Sequence, residues 1–234
     1  MDKDTIKRLI IEYQQFVANI TLIEREIHLS HQLNYVFVGL RRAGKSYLMY
    51  QQIQSLLNDG HQPEEILYFN FEDDRLVNLT VEDLDLIKVS YEELYPHKPI
   101  FFLDEIQIVE HWEKFARRLA DQQYRVYITG SNAKMLSAEI ATTLGGRYIV
   151  QNVYPFSFSE FLKASKIEIG PTWYYNNRTE IVRTFSDYFS YGGLPELMLI
   201  ETIEKRQWLS NLFNKIFFGD LITRYSIRND LAMK

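Results

Sequence analysis

Between Thr5 and Val17 the apolar residues Ile6, Ile10, Tyr13 and Val17 recur at helical spacing, which predicts an amphipathic helix within an N-terminal helical segment, residues 1–33, packed onto the core. From Asn34 the pattern changes to short apolar runs alternating with helical stretches. Tyr35-Val36-Phe37-Val38 precedes a helix over Lys45–Leu57, and Ile66-Leu67-Tyr68-Phe69 precedes one over Val81–Leu94. Ile100-Phe101-Phe102-Leu103 precedes Trp112–Ala120, Arg125–Thr129 precedes Ala133–Thr142, and Tyr148-Ile149-Val150 closes the series. Five strands joined by helical crossovers predict a parallel sheet. Because the strands are continuously apolar rather than alternating, helices should cover both faces, giving an α/β three-layer core over residues 34–154. After Pro155 the pattern is helical, at Ser157–Ala164, Thr179–Ser190 and Ile203–Arg224, broken by Gly170-Pro171 and Gly192-Gly193, and predicts a small helical lid over 155–234.

Composition narrows the chemistry. The 234 residues, 46% of them hydrophobic, suffice for one large core with a smaller companion. With no cysteine there is no disulfide, thiolate metal site or cysteine nucleophile, and His28, His31, His61, His97 and His111 are too scattered for a metal-ligand pattern. No apolar run approaches the ~20 residues that cross a bilayer, and Met1-Asp2-Lys3-Asp4 opens no signal-peptide core, so the expectation is a cytoplasmic protein without a membrane partner. A net charge of -5 lacks the positive excess of a duplex-binding module, so nucleic acid is left as a partner only through a local basic face. Arg117-Arg118 reads as a solvated helix face rather than such a site.

The chemistry concentrates at three strand ends. Gly39-Leu40-Arg41-Arg42-Ala43-Gly44-Lys45-Ser46 follows a strand and opens a helix, the context in which G-x-x-x-x-G-K-[ST] wraps backbone amides around phosphates. Gly39 and Gly44 allow the tight turn and close approach, Lys45 would reach the β and γ phosphates, Ser46 would ligate magnesium, and Tyr47 completes the nucleotide-binding stretch. Ile100-Phe101-Phe102-Leu103-Asp104-Glu105 is a buried strand ending in two acids, where Asp104 would hold Mg2+ and Glu105 would polarise the attacking water. These residues predict ATP and Mg2+ as cofactors. An Asn-Lys-x-Asp motif for guanine selection is missing from the sequence.

Two further positions carry paired readings. The strand ending Ile128-Thr129-Gly130 is followed by Ser131-Asn132, either of which could sense the γ-phosphate while also capping the next helix. Arg147, in Gly145-Gly146-Arg147-Tyr148, could stabilise phosphoryl transfer in cis or from a neighbouring subunit, or form a salt bridge. Arg41 and Arg42 could face nucleotide, an acidic partner or solvent.

Taken together, Gly-x-Arg-Arg-x-Gly-Lys-Ser, Ile-Leu-Tyr-Phe-Asn-Phe-Glu-Asp, Phe-Leu-Asp-Glu-Ile-Gln, Thr-Gly-Ser-Asn-Ala-Lys-Met-Leu and Tyr-Pro-Phe-Ser-Phe-Ser-Glu-Phe resemble a prokaryotic AAA-type P-loop ATPase related to the archaeal ATPase and STAND groups. The resemblance runs from about Val36 to Ile227. It implies a P-loop NTPase fold whose two motif strands are separated by an extra strand, for which Ile66–Phe71 and its crossover helix are available between Lys45 and Asp104. It implies ATP hydrolysis coupled to lid movement, or a slow nucleotide-gated switch that recruits a partner, with a homo-oligomer or protein partner open. It adds one site, Tyr191-Gly192-Gly193-Leu194-Pro195, in which Pro195 would pack near the adenine. Members of the family continue into a winged-helix-like region and a C-terminal domain, so the resemblance implies that the lid is cut before them; Asp230 reads as the cap of a helix that barely starts.

Overall fold

The computed structural model describes residues 2–76, 79–130, 139–168, 170–172 and 177–217. Two compact units emerge. One comprises the chain up to Gly39 together with Lys45–Val153; the other comprises Leu40–Gly44 and the described residues from Tyr154 onward.

The first unit is built on strands β1 (Tyr35–Val38), β2 (Ile66–Asn70), β3 (Ile100–Asp104), β4 (Val126–Gly130) and β5 (Ile149–Asn152), with helices α1 (Lys3–Asn19), α2 (Lys45–Asn58), α3 (Val81–Leu94), α4 (Trp112–Asp121) and α5 (Glu139–Thr143). All strands pair in parallel in the order β2-β3-β4-β1-β5. The five-stranded parallel α/β sheet expected from the apolar runs is therefore present. Alternate residues feed two separate cores, as a pleated strand requires. Val36, Leu67, Phe69, Phe101, Leu103, Val126 and Ile128 join side chains of α1, α3 and α4 on one face. Tyr35, Phe37, Ile66, Tyr68, Ile100, Phe102 and Tyr127 join α2 on the other.

Three details depart from the sequence expectations. The strand between β1 and β3 in space is β4; the strand between them in sequence, β2, lies at the sheet edge because its crossover carries the chain outward. β5 is not continuously buried, and Ile149 is 45% exposed, since an edge strand is covered on fewer sides. Pro63–Glu65 and Ile106–Ile108 form 3-10 turns that apolar periodicity does not signal. At the other edge, α1 begins at the Asp2 cap and packs against β2, α2 and α3. Its Tyr13 ring meets both Tyr68 and Phe69, neighbours that point to opposite faces of β2, and Gln14 donates to the Ile66 carbonyl at 2.8 Å.

The second unit holds α6 (Phe158–Ala164), α7 (Arg178–Tyr191) and α8 (Thr202–Asn214), with a 3-10 turn at Pro195–Leu199 between α7 and α8. Ser157 caps α6 and Glu160 returns a bond to its amide, a capping box that explains the Ser-Phe-Ser-Glu run. Gly192 ends α7 at φ 81°, a conformation that disfavours side chains, and a Cβ on Gly193 would lie 2.3 Å from the Phe156 carbonyl. Phe156 binds Gly193 back, its amide donating at 2.7 Å. The described part of the last predicted helix reaches Asn214 with one further turn, and the remainder to Arg224 lies outside the described residues.

Candidate nucleotide-binding site

The C-terminal ends of β1, β3 and β4 lie side by side, and their terminal residues converge. β1 runs into Gly39, where an added Cβ would stand 2.1 Å from the Val153 carbonyl, so only glycine lets the chain leave the sheet here. Lys45 and Ser46 start α2, whose N-terminal amides and dipole favour an anion. Lys45 is 4% exposed; its Nζ lies 3.3 Å from the Gly39 carbonyl and 3.9 Å from Glu105 Oε1. Tyr47, half exposed, turns its ring toward Tyr50 at 5.5 Å.

Asp104 ends β3 buried, and three hydroxyls of the described residues bond to it. Tyr68 donates to Oδ2 at 2.7 Å, Thr129 donates to Oδ1, and Ser46 adds a third hydroxyl bond. Burial pushes the Asp104 carboxyl above the usual carboxylate range, against which these three hydroxyls pull. Thr129 also accepts the Glu105 amide at 2.9 Å, so one side chain on β4 ties both acids to the strand that separates them from β1. Glu105 itself adopts φ 55°, ψ 37°, a left-handed conformation uncommon outside glycine. Its carboxylate accepts from Gln107, whose own Oε1 is buried and has no hydrogen-bond partner among the described residues. The phenols around the acids stay protonated: burial pushes Tyr50 up to about 12 and Tyr68 well above the ordinary tyrosine value.

Leu40–Gly44, grouped with the second unit, form a tight turn in which the Ala43 amide donates to the Leu40 carbonyl at 3.2 Å. Arg42 and Gly44 have φ of 65° and 94°, the left-handed turns from which anion-cradling backbone is built. Leu40 is exposed, Arg41 half-buried and Ala43 buried. The Arg42 side chain pairs with Glu196 and lies over the Trp208 ring, 5.3 Å from its centre. Of its three sequence readings, an acidic partner within the chain is the one realised. Pro195 opens the 3-10 turn that carries Glu196.

Two expectations fare differently. Arg147 precedes β5 at the N-terminal edge of the sheet and pairs with Asp121 at 2.5 Å. Of its paired readings the salt bridge is the one seen in this structure, and a strand's length separates Arg147 from Lys45 and Asp104. Ser131 and Asn132 lie outside the described residues. Conversely, Thr129, Tyr68 and Gln107 were missed as site residues. Thr129 was visible as a polar residue ending an apolar strand, whereas Tyr68 read as one more aromatic core position.

The family model for the AAA domain matches residues 31–162, and the chain belongs to that family of P-loop ATPases. An uncharacterized protein of Methanocaldococcus jannaschii is 34% identical over 99% of this chain and 52% of its own length. One from Haemophilus influenzae is 33% identical over 91% of this chain and 54% of its own length. The chain thus spans about half the length of these curated relatives. Among solved structures, a DNA polymerase III gamma subunit-related protein from Thermotoga maritima is similar over 76% of this chain and 57% of that one, at 12% identity and a TM-score of 0.41. Among the described residues, no helix is long and apolar enough to cross a membrane.

Proposed function

We propose that this chain binds ATP with Mg2+ at the ends of β1, β3 and β4 and hydrolyses it in the cytoplasm, with nucleotide state passed to the helical segment after Pro155. The observation that carries the reading is that buried Asp104 takes hydroxyl bonds from Ser46 and from Thr129, which also accepts the Glu105 amide, while buried Lys45 lies 3.9 Å from Glu105. The residues suit the cofactors. Ser46 and Asp104 offer the hard oxygen donors magnesium takes, and Lys45 at the start of α2 suits the charge of phosphates. When bound, the ion would neutralise charge that develops on the phosphates.

In this reading Lys45 pairs the β and γ phosphates and Glu105 orients the attacking water and accepts its proton. The left-handed backbone of Glu105 is the kind of local strain that persists where neighbours hold it for a purpose. Pro195 belongs to the segment that would pack near adenine, and a contribution from Arg147 would have to come from a neighbouring subunit.

A slow nucleotide-gated switch is the second reading, favoured by Arg42 being engaged with Glu196 and Trp208 rather than left to the phosphates. The deciding experiment is Mg2+-dependent ATP turnover beside Glu105→Gln and Lys45→Ala, with nucleotide titrations in parallel. Turnover lost in Glu105→Gln with binding kept, and binding lost in Lys45→Ala, is the result expected. Equal loss of binding in both variants contradicts the roles, and tight binding without wild-type turnover favours the switch.

A further inference from the structure

Behind Asp104 the polar network extends beyond the two phosphate-site motifs. Tyr68 on β2 is in register with Phe102 of β3, two residues before Asp104, and the two-residue pleat puts Phe102 and Asp104 on the same face. The Tyr68 phenol lies 2.7 Å from Oδ2 of that carboxylate. Because a phenol carries one proton and Tyr68 gives it to Asp104, the Tyr50 hydroxyl, 3.1 Å away, must donate in turn to Tyr68. Tyr50 stands one helical turn beyond Ser46 on α2. That helix therefore grips Asp104 twice, directly through Ser46 and indirectly through Tyr50 and Tyr68.

Packing leaves the Tyr68 ring little freedom. It is 2% exposed and meets the Tyr13 and Tyr50 rings edge-on at 5.4 Å and 5.3 Å. With Thr129 on Oδ1 and Tyr68 on Oδ2, the carboxylate is clamped by hydroxyls from strands on either side of β3.

We propose that Tyr68 is a positioning residue: oriented by Tyr50, its hydroxyl fixes the plane of the Asp104 carboxylate so that the remaining lone pairs serve Ser46 and the divalent ion carried by bound nucleotide. This rests on the nucleotide-binding reading above. A phenylalanine would preserve the ring packing but leave Oδ2 without this donor and the carboxylate able to turn. Partners of this outer kind set ligand orientation at metal sites.

The test uses the whole chain with Tyr68→Phe and Tyr50→Phe. Mn2+ binding in saturating ADP is followed by the spin resonance of free Mn2+, and ADP affinity in EDTA by calorimetry. Tyr68→Phe should weaken Mn2+ binding about 10-fold or more and leave metal-free ADP affinity within about twofold, with Tyr50→Phe showing the same split at a smaller factor. Unchanged Mn2+ affinity in Tyr68→Phe overturns the proposal, and so does a parallel fall in metal-free ADP affinity, which would mark the hydroxyl as merely structural. If Tyr68→Phe does not fold, Tyr50→Phe decides on the same two readouts. Failure of the wild-type chain to bind ADP at all defeats the functional reading first, and is seen before any variant is made.

Discussion

Thr129→Val keeps the shape of a fully buried side chain and removes its hydroxyl, which carries the bonds to both acids. Two groups then lose a partner: Asp104 Oδ1, a charged acceptor, and the Glu105 amide. A hydrogen bond to a charged group contributes about 1.5–3 kcal/mol, and a buried amide left without an acceptor costs about 1–3 kcal/mol. Together they predict a loss of roughly 2.5–6 kcal/mol, a large part of the ~5–15 kcal/mol that holds a typical domain together. Urea unfolding followed by circular dichroism gives the difference. Thr129→Ser keeps the hydroxyl and drops one methyl, so it should lose only about 1 kcal/mol. The exposed Thr179→Val is the control and should stay within about 0.5 kcal/mol of the parent. A Thr129→Val loss below about 1 kcal/mol, or one no larger than that of Thr129→Ser, would refute the claim that this hydroxyl bridges both acids.

Two further predictions concern the scaffold. Gln123 follows α4 at φ 60° while the Tyr124 amide returns to the Leu119 carbonyl, a helix ending that glycine suits, so Gln123→Gly should raise the urea midpoint, by about 0.5–1 kcal/mol in stability; no change or a decrease would argue against the backbone cost. Lys3 and Lys7 hold the Glu93 carboxyl down to about 2, tying α1 to α3. Since the unfolded carboxyl titrates near 4.5, this stabilisation is complete above that pH and fades as pH falls toward 2. Glu93→Gln should accordingly be the less stable protein at pH 6 and match the parent near pH 2, and a constant difference across that span would reject the assignment.

How much of this could be read in the sequence depends on which residues interact locally. The apolar runs at Tyr35–Val38, Ile66–Asn70 and Ile100–Asp104, and the glycines flanking Leu40–Ala43, announce strands and a phosphate loop because periodicity and turn chemistry act over a few residues. Strand order is set by long crossovers, and so β4, not β2, came to lie between the motif strands. The partners of Asp104 come from β2, β4 and α2; Ser46 belongs to a motif and Thr129 is a polar residue ending an apolar strand, but a buried tyrosine in an apolar run looks like packing until the neighbouring strand is placed. Arg147 illustrates the same limit: the sequence leaves a catalytic role and a salt bridge both open, and the Asp121 partner appears only once α4 and β5 are placed.

The way α1 straddles β2 bears on self-association. β2 is a run of Ile66-Leu67-Tyr68-Phe69-Asn70 without a charge or a proline, and its outer side would be a row of backbone groups open to another chain. Tyr13 and Gln14 close that row from the helix. The N-terminal helix is thus a gatekeeper as well as packing: a form cleaved after Asn19 would expose a sticky edge, and its first failure would be aggregation through strand pairing, ahead of any defect in nucleotide chemistry.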